Sequence, residues 1–189
     1  MANTVTSQTL IDGDRNLVML FTGLLDTSNE SRVVKVDAST FVPATTKIRI
    51  NYVQYSISSP LSLTLDDLAA LPQTGMTKDF QCVTGWRVED VPWSGVLLRD
   101  VLAAAGVEAG ATALRFTSFD GAYTESLTME QGMKDDVLVA TSMFGAPIEV
   151  KHGAPVRLYV VPMYGYKSIK WLSGIEVGRA VIPGYWEER

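Results

Sequence analysis

The chain has 189 residues, enough for one sizeable domain or a domain with a small extra lobe, and 47% of them are hydrophobic against 20% charged, the balance of an ordinary globular protein. A formal net charge of −5 argues against a nucleic-acid binder, whose affinity comes mainly from Lys and Arg on phosphate. One cysteine and one histidine exclude a disulfide framework and a zinc centre built from several such ligands.

No apolar run approaches the roughly 20 residues of a bilayer span. Residues 1–7 carry neither the basic nor the apolar region of a signal peptide, so cytoplasmic residence is the default expectation.

From the N-terminus, β-like runs at residues 16–22, 32–36 and 47–56 are separated by polar turns at Asp12-Gly13-Asp14 and residues 26–30. The third run alternates Ile48, Ile50 and Tyr52 against Arg49, Asn51 and Val53, the pattern of a half-buried strand. The texture changes at Ser58-Ser59-Pro60. That predicts a β-rich N-terminal segment over residues 1–57 and a mixed domain over 58–189.

Beyond Pro60, Thr64 can cap a short helix through Leu71, with Asp66 and Asp67 in its first turn and Pro72 just after. A strand over residues 81–84 then enters a Thr84-Gly85 turn. A second helix over residues 97–105 ends at Gly106, and Thr128-Met129-Glu130-Gln131 fits the capping box of a third. Further strands are expected at residues 113–118, 123–127, 137–140, 156–161 and 175–177. The elements do not alternate as βαβ units, so the fold class is α+β with a mixed, mainly antiparallel sheet.

Two places could carry chemistry. Cys82, in Phe80-Gln81-Cys82-Val83-Thr84-Gly85-Trp86, is either a small core hydrophobe or a thiolate, which needs a metal or positive charge beside it. Residues 151–171 gather His152, Lys151, Arg157, Lys167 and Lys170 around Gly165. That offers an Arg fork, Lys point charges and approachable backbone N–H groups for a phosphate monoester. The competing reading is a solvated basic patch at a sheet edge. A Cys82–His152 hydrolase pair remains open, although neither residue sits in a nucleophile turn, and no Walker or GxGxxG loop is present.

From about Leu61 onward the chain resembles the oxidoreductase molybdopterin-binding domain of the sulfite oxidase superfamily, in its small prokaryotic form. The resemblance is carried in order by Pro60 to Leu68, Cys82-Val83-Thr84-Gly85-Trp86, Trp93 to Leu102, Tyr123-Thr124-Glu125-Ser126-Leu127, His152-Gly153-Ala154-Pro155-Val156-Arg157 and Tyr164-Gly165-Tyr166-Lys167-Ser168-Ile169-Lys170-Trp171. It implies a sulfite-oxidase-type fold and a molybdenum ion held by one molybdopterin dithiolene and by Cys82, the metal ligand and catalytic residue. It implies that His152, Arg157, Gly165, Lys167, Ser168 and Lys170 hold the pterin and its phosphate. Tyr123 or Tyr164 is placed at the mouth.

The implied activity is oxo transfer on a small sulfur-containing substrate, sulfite oxidation or sulfoxide reduction, with electrons exchanged through a separate protein. Family members carry a substrate-site tyrosine shortly after the segment resembling Tyr185 to Arg189, which lies beyond the last residue here, and relatives are often exported. A non-catalytic β-rich interaction protein that keeps the fold without the cofactor is the alternative from a different class.

Overall fold

The computed structural model describes residues 61–107 and 110–188 throughout, together with the backbones of the four strands before them. The turns expected at Asp12-Gly13-Asp14 and residues 26–30, and the texture change at Ser58-Ser59-Pro60, lie outside the described residues. Two compact units are present, Met1–Val42 and Pro43–Arg189. In the first, β1 (Thr6–Ile11), β2 (Asn16–Thr22) and β3 (Arg32–Asp37) form an antiparallel sheet in the order β1-β2-β3.

The second unit is built on two sheets. One takes in β4 (Ile48–Tyr52), β5 (Leu61–Leu63), β8 (Ala113–Ser118), β9 (Thr124–Thr128) and β13 (Leu172–Gly178), in the order β5-β4-β13-β8-β9. Its pairs are antiparallel except β4 with β13. β4 therefore belongs to the second unit's sheet, although the change of texture in the sequence comes after it. The other sheet holds β6 (Gln73–Gln81), β7 (Arg87–Leu97), β10 (Val137–Met143) and β11 (Ala146–Pro147) in the order β11-β10-β7-β6, and β12 (Arg157–Val160) also pairs with β10. The architecture is the α+β arrangement of mainly antiparallel strands with few helices that the sequence predicts.

Each short helix has a local cause. The Thr64 side chain accepts from the Asp67 N–H while Asp67 reaches back to the Thr64 N–H, which starts α1 (Leu65–Ala70); Thr128 and Gln131 do the same for α3 (Met129–Gly132). Such reciprocal caps satisfy backbone donors that a helix start leaves free. α2 (Leu98–Ala104) buries Leu98, Val101 and Leu102, and Gly106 takes the left-handed conformation just past its end, at φ 65°.

Strand alternation divides the interior into two apolar clusters. Leu158 of β12 joins the larger one with Val96, Leu114, Phe116 and Ile175. Its neighbour Tyr159 joins the smaller one with Val91, Trp93 and Leu138. Arg157, two positions from Tyr159, shares that second face.

Two strands escape a sequence reading. β6 is largely exposed and shows no apolar alternation, and β7 carries Glu89-Asp90 and Pro92 inside its span, residues that ordinarily argue against a strand. The strand expected over residues 81–84 is corrected accordingly. β6 ends at Gln81, and Cys82 to Trp86 form the turn that joins β6 to β7, closed by the Cys82 N–H on the Trp86 carbonyl at 2.9 Å and the Gly85 N–H on the Cys82 carbonyl at 3.1 Å. Among the described residues no helix is long and apolar enough to cross a membrane.

The contact between β7 and β10 leaves no room at Gly95. A Cβ there would lie 2.2 Å from the Val139 carbonyl oxygen and 2.8 Å from the Ala140 Cα, backbone atoms that cannot move independently. Gly95→Ala is expected to cost roughly 1–3 kcal/mol, the usual range for overpacking, as a lower urea midpoint; an unchanged midpoint would mean that the two strands can part without loss.

Candidate functional site

Cys82 opens the β6–β7 turn, half-buried, and its Sγ lies 3.1 Å from the Thr84 Oγ1. Thr84 and Gly85, at φ 98°, make the tight return that leaves this sulfur at the surface of the turn instead of inside a strand. Trp86 is 54% exposed and packs its ring 5.9 Å from that of Phe80.

The turn is stitched to the basic segment by the residues just ahead of it. The Gly165 N–H donates to the Gln81 carbonyl at 2.7 Å. A Cβ on Gly165 would come within 2.3 Å of the Phe80 ring, so only glycine permits this approach. On the other side, the Arg157 guanidinium lies over the same Phe80 ring at 5.3 Å and over Trp93 at 5.4 Å. Phe80 thus links the cysteine turn, the Gly165 loop and the buried Arg157.

Arg157 is 3% exposed, and its acceptors are all backbone carbonyls. Nη1 donates to the His152 carbonyl at 2.9 Å and Nη2 to the Ser168 carbonyl at 2.8 Å. No salt bridge to a carboxylate is found for it among the described residues. Burial, with no compensating acid, pulls the guanidinium down to about 10. Ser168 is fixed by its own hydroxyl, which accepts from the Val160 N–H at 3.0 Å.

Lys170 is a second cation without a carboxylate partner, only partly buried. Its Nζ donates to the Lys151 carbonyl at 2.8 Å and sits 5.4 Å from the Trp171 ring centroid. Burial first, then repulsion from Arg157, pull it down to about 8. The backbone here needs Gly153 at φ 106°, since a Cβ at that position would meet the Lys170 Cβ at 2.8 Å. His152 stands in the same turn, and burial followed by Lys151 and Lys170 holds its imidazole below the ordinary histidine range. Cys82, His152, Gly165, Ser168 and Lys170 therefore lie in turns and loops linked through Phe80 and through Arg157 at the start of β12.

Lys167 is different. Its Nζ donates to Glu125 at 2.8 Å, to Glu187 at 2.6 Å and to the Ser126 carbonyl at 2.9 Å, which uses all three of its protons. In this geometry it has no donor left for a phosphate. Tyr123 is committed likewise, its hydroxyl lying 3.0 Å from both Glu125 and the Tyr166 carbonyl, whereas Tyr164 is 51% exposed. The aromatic walls of the site, Phe80 and Trp93, fall in or beside segments that the sequence singles out, but carry no charge that marks them as partners of Arg157.

The two depressed cations give the cofactor-free protein a distinctive pH dependence. A lysine whose folded value is lowered binds fewer protons than its unfolded counterpart between the two values, so stability rises with pH across that window. Lys170 should titrate near 8 in lysine-resolved NMR, and Arg157→Met should raise it by removing the neighbouring charge. A Lys170 that titrates with the surface lysines contradicts the placement.

Known proteins match the stretch of chain that holds these residues. The profile of the oxidoreductase molybdopterin binding domain matches residues 36–186. The chain is 33% identical to an uncharacterized oxidoreductase, YuiH, of Bacillus subtilis, over 69% of this chain and 66% of the relative. It is 28% identical to the protein-methionine-sulfoxide reductase catalytic subunit MsrP of Campylobacter jejuni, over 92% of this chain and 63% of the relative. The chain thus spans just under two thirds of the length of these relatives. The sulfane dehydrogenase SoxCD of Paracoccus pantotrophus superposes with a TM-score of 0.70 at 22% identity, over 94% of this chain and 52% of that one, a likeness of fold. On the extent of the profile match, the chain belongs to the oxidoreductase molybdopterin-binding domain family.

Proposed function

We propose that this chain is the molybdenum-cofactor domain of an oxidoreductase that transfers an oxo group to or from a small sulfur-containing substrate, by sulfite oxidation or sulfoxide reduction. The observation that carries the reading is the buried cation Arg157 with the partly buried Lys170 near it, both of which have carbonyls but no carboxylate as partners. An uncompensated buried charge is expensive, and a second cation nearby adds repulsion. A bound dianionic phosphate removes that cost and gains charge-assisted hydrogen bonds.

The donor set fits the rest of the group as well. Among the described residues no three His, Cys, Asp or Glu side chains gather as a metal site. Cys82 is a lone soft sulfur at the surface of a turn, suited to a metal whose remaining sulfur ligands come from a dithiolene. The Gly165 loop and Ser168 bring backbone close without bulk, and His152, held in neutral form, can hydrogen-bond a pterin edge. When bound, the cofactor supplies two-electron oxo-transfer chemistry. The protein's part is to hold the phosphate with Arg157 and Lys170, present the Cys82 thiolate, and shape the approach with exposed Val83, Trp86 and Tyr164.

The activity for which the methionine-sulfoxide reductase relative is named supports a sulfur-bearing substrate. A redox cycle of this kind also requires a separate electron-transfer protein as partner. Elemental analysis after expression in a cofactor-competent host should find stoichiometric molybdenum in the purified protein and its loss in Cys82→Ser. A folded, metal-free wild type would overturn the reading in favour of a non-catalytic domain.

A further inference from the structure

Among the described residues, Glu125–Lys167 is the buried ion pair that the cofactor site does not use, and Glu187 joins it from an exposed position in the C-terminal turn. Together they join three parts of the second unit. Glu125 lies in β9, Lys167 in the loop that follows β12, and Glu187 in the C-terminal turn. Lys167 is 5% exposed and Glu125 is 1% exposed. The C-terminal turn is pressed onto the cluster, because the Gly184 N–H donates to Glu187 at 3.0 Å and a Cβ at 184 would lie 2.3 Å from the Glu125 Oε1. Tyr123 closes the far side against Glu125 and the Tyr166 carbonyl.

The loop that carries Lys167 also carries the anion seat. The Lys167 N–H donates to the Tyr164 carbonyl and the Ser168 N–H to the Gly165 carbonyl, so the segment is one continuous turn. Its next residue, Ser168, supplies the carbonyl that orients Arg157; two further on, Lys170 supplies the second cation. Among the described residues no other ion pair anchors this loop.

We propose that Lys167 is a positioning residue. By tying Glu125 to Glu187, it fixes the loop from Tyr164 to Lys170, and through Ser168 and Lys170 it sets the grip on the phosphate from the C-terminal turn. The assignment rests on the cofactor reading above and replaces the expectation that Lys167 itself contacts the phosphate.

The two roles predict opposite behaviour when Glu187 is neutralised. If Lys167 were a phosphate ligand, Glu187→Gln would release one of its protons toward the cofactor and retention would hold or improve. As a positioning residue, it loses an anchor and retention falls.

The acid dependence has a defined sign. Burial pushes the Glu187 carboxyl up, but Lys167 and the Gly184 N–H more than offset this and hold it below the ordinary glutamate range. Glu125 is pushed above that range by burial, against the pull of Lys167 and Tyr123. Glu187's contribution is complete at neutral pH and is lost as pH falls through its lowered value.

The test compares wild type, Glu187→Gln, Lys167→Met, Lys167→Arg and Val101→Ala, the last a core variant in α2 that controls for general destabilisation. Two quantities are read: molybdenum per chain after dialysis, and amide hydrogen exchange of residues 164–170 in cofactor-free protein. Glu187→Gln and Lys167→Met should each lose metal several-fold and exchange faster in this loop, with partial rescue in Lys167→Arg. Val101→Ala should keep both properties, and the retention gap between wild type and Glu187→Gln should close in acid.

Unchanged exchange in Glu187→Gln overturns the positioning role whatever the metal content, and so does retained metal in that variant. A wild type without molybdenum overturns the cofactor reading instead, and the exchange measurement still decides the role of Lys167.

Discussion

The arrangement of this domain turns on a guanidinium that has no acid. Arg157 lies on the inner face of β12, between the rings of Phe80 and Trp93, and directs its donors at the carbonyls of His152 and Ser168. Aromatic faces and carbonyl dipoles offset part of the lost hydration, and a single cation–π contact contributes on the order of 1 kcal/mol. They do not supply a counter-charge. The fold therefore keeps a positive potential beneath two turns, and Lys170 adds to it.

That constraint explains several features at once. Phe80 lies against Arg157 and leaves no room for a side chain at Gly165, so the loop bearing Ser168 and Lys170 lies against the end of β6, just ahead of Cys82. The left-handed Gly153 lets Lys170 approach the turn that presents His152. Acidic residues near this loop are gathered on its other side, where Glu125 and Glu187 neutralise Lys167. The segmentation of charge is what separates the proposed anion seat from a structural ion cluster within a few residues.

Much of the framework was legible in the sequence because it depends on local signals. The Thr64 and Thr128 caps, the Gly106 stop and the strands over residues 113–118 and 137–140 follow from side chains within a few positions of one another. The positive charge of Arg157 and Lys170, on which the proposed anion seat rests, was also visible as a basic cluster in an acidic chain. What could not be read was which lysine faces which way. Lys167 and Lys170 sit three apart in one loop, and their different fates are decided by Glu125 and Glu187, some 42 and 20 positions distant in the chain. β6 and β7 were hidden for a related reason: their pairing with each other and with β10 overrides Pro92, Asp90 and Gly75.

Anomalous diffraction at the molybdenum edge, on crystals of the protein purified from a cofactor-competent host, tests the central claim most directly. The account predicts a single anomalous peak within bonding distance of the Cys82 Sγ, with phosphate density against Lys170 and beside Arg157. A peak elsewhere on the chain, or phosphate density seated on Lys167, would contradict it.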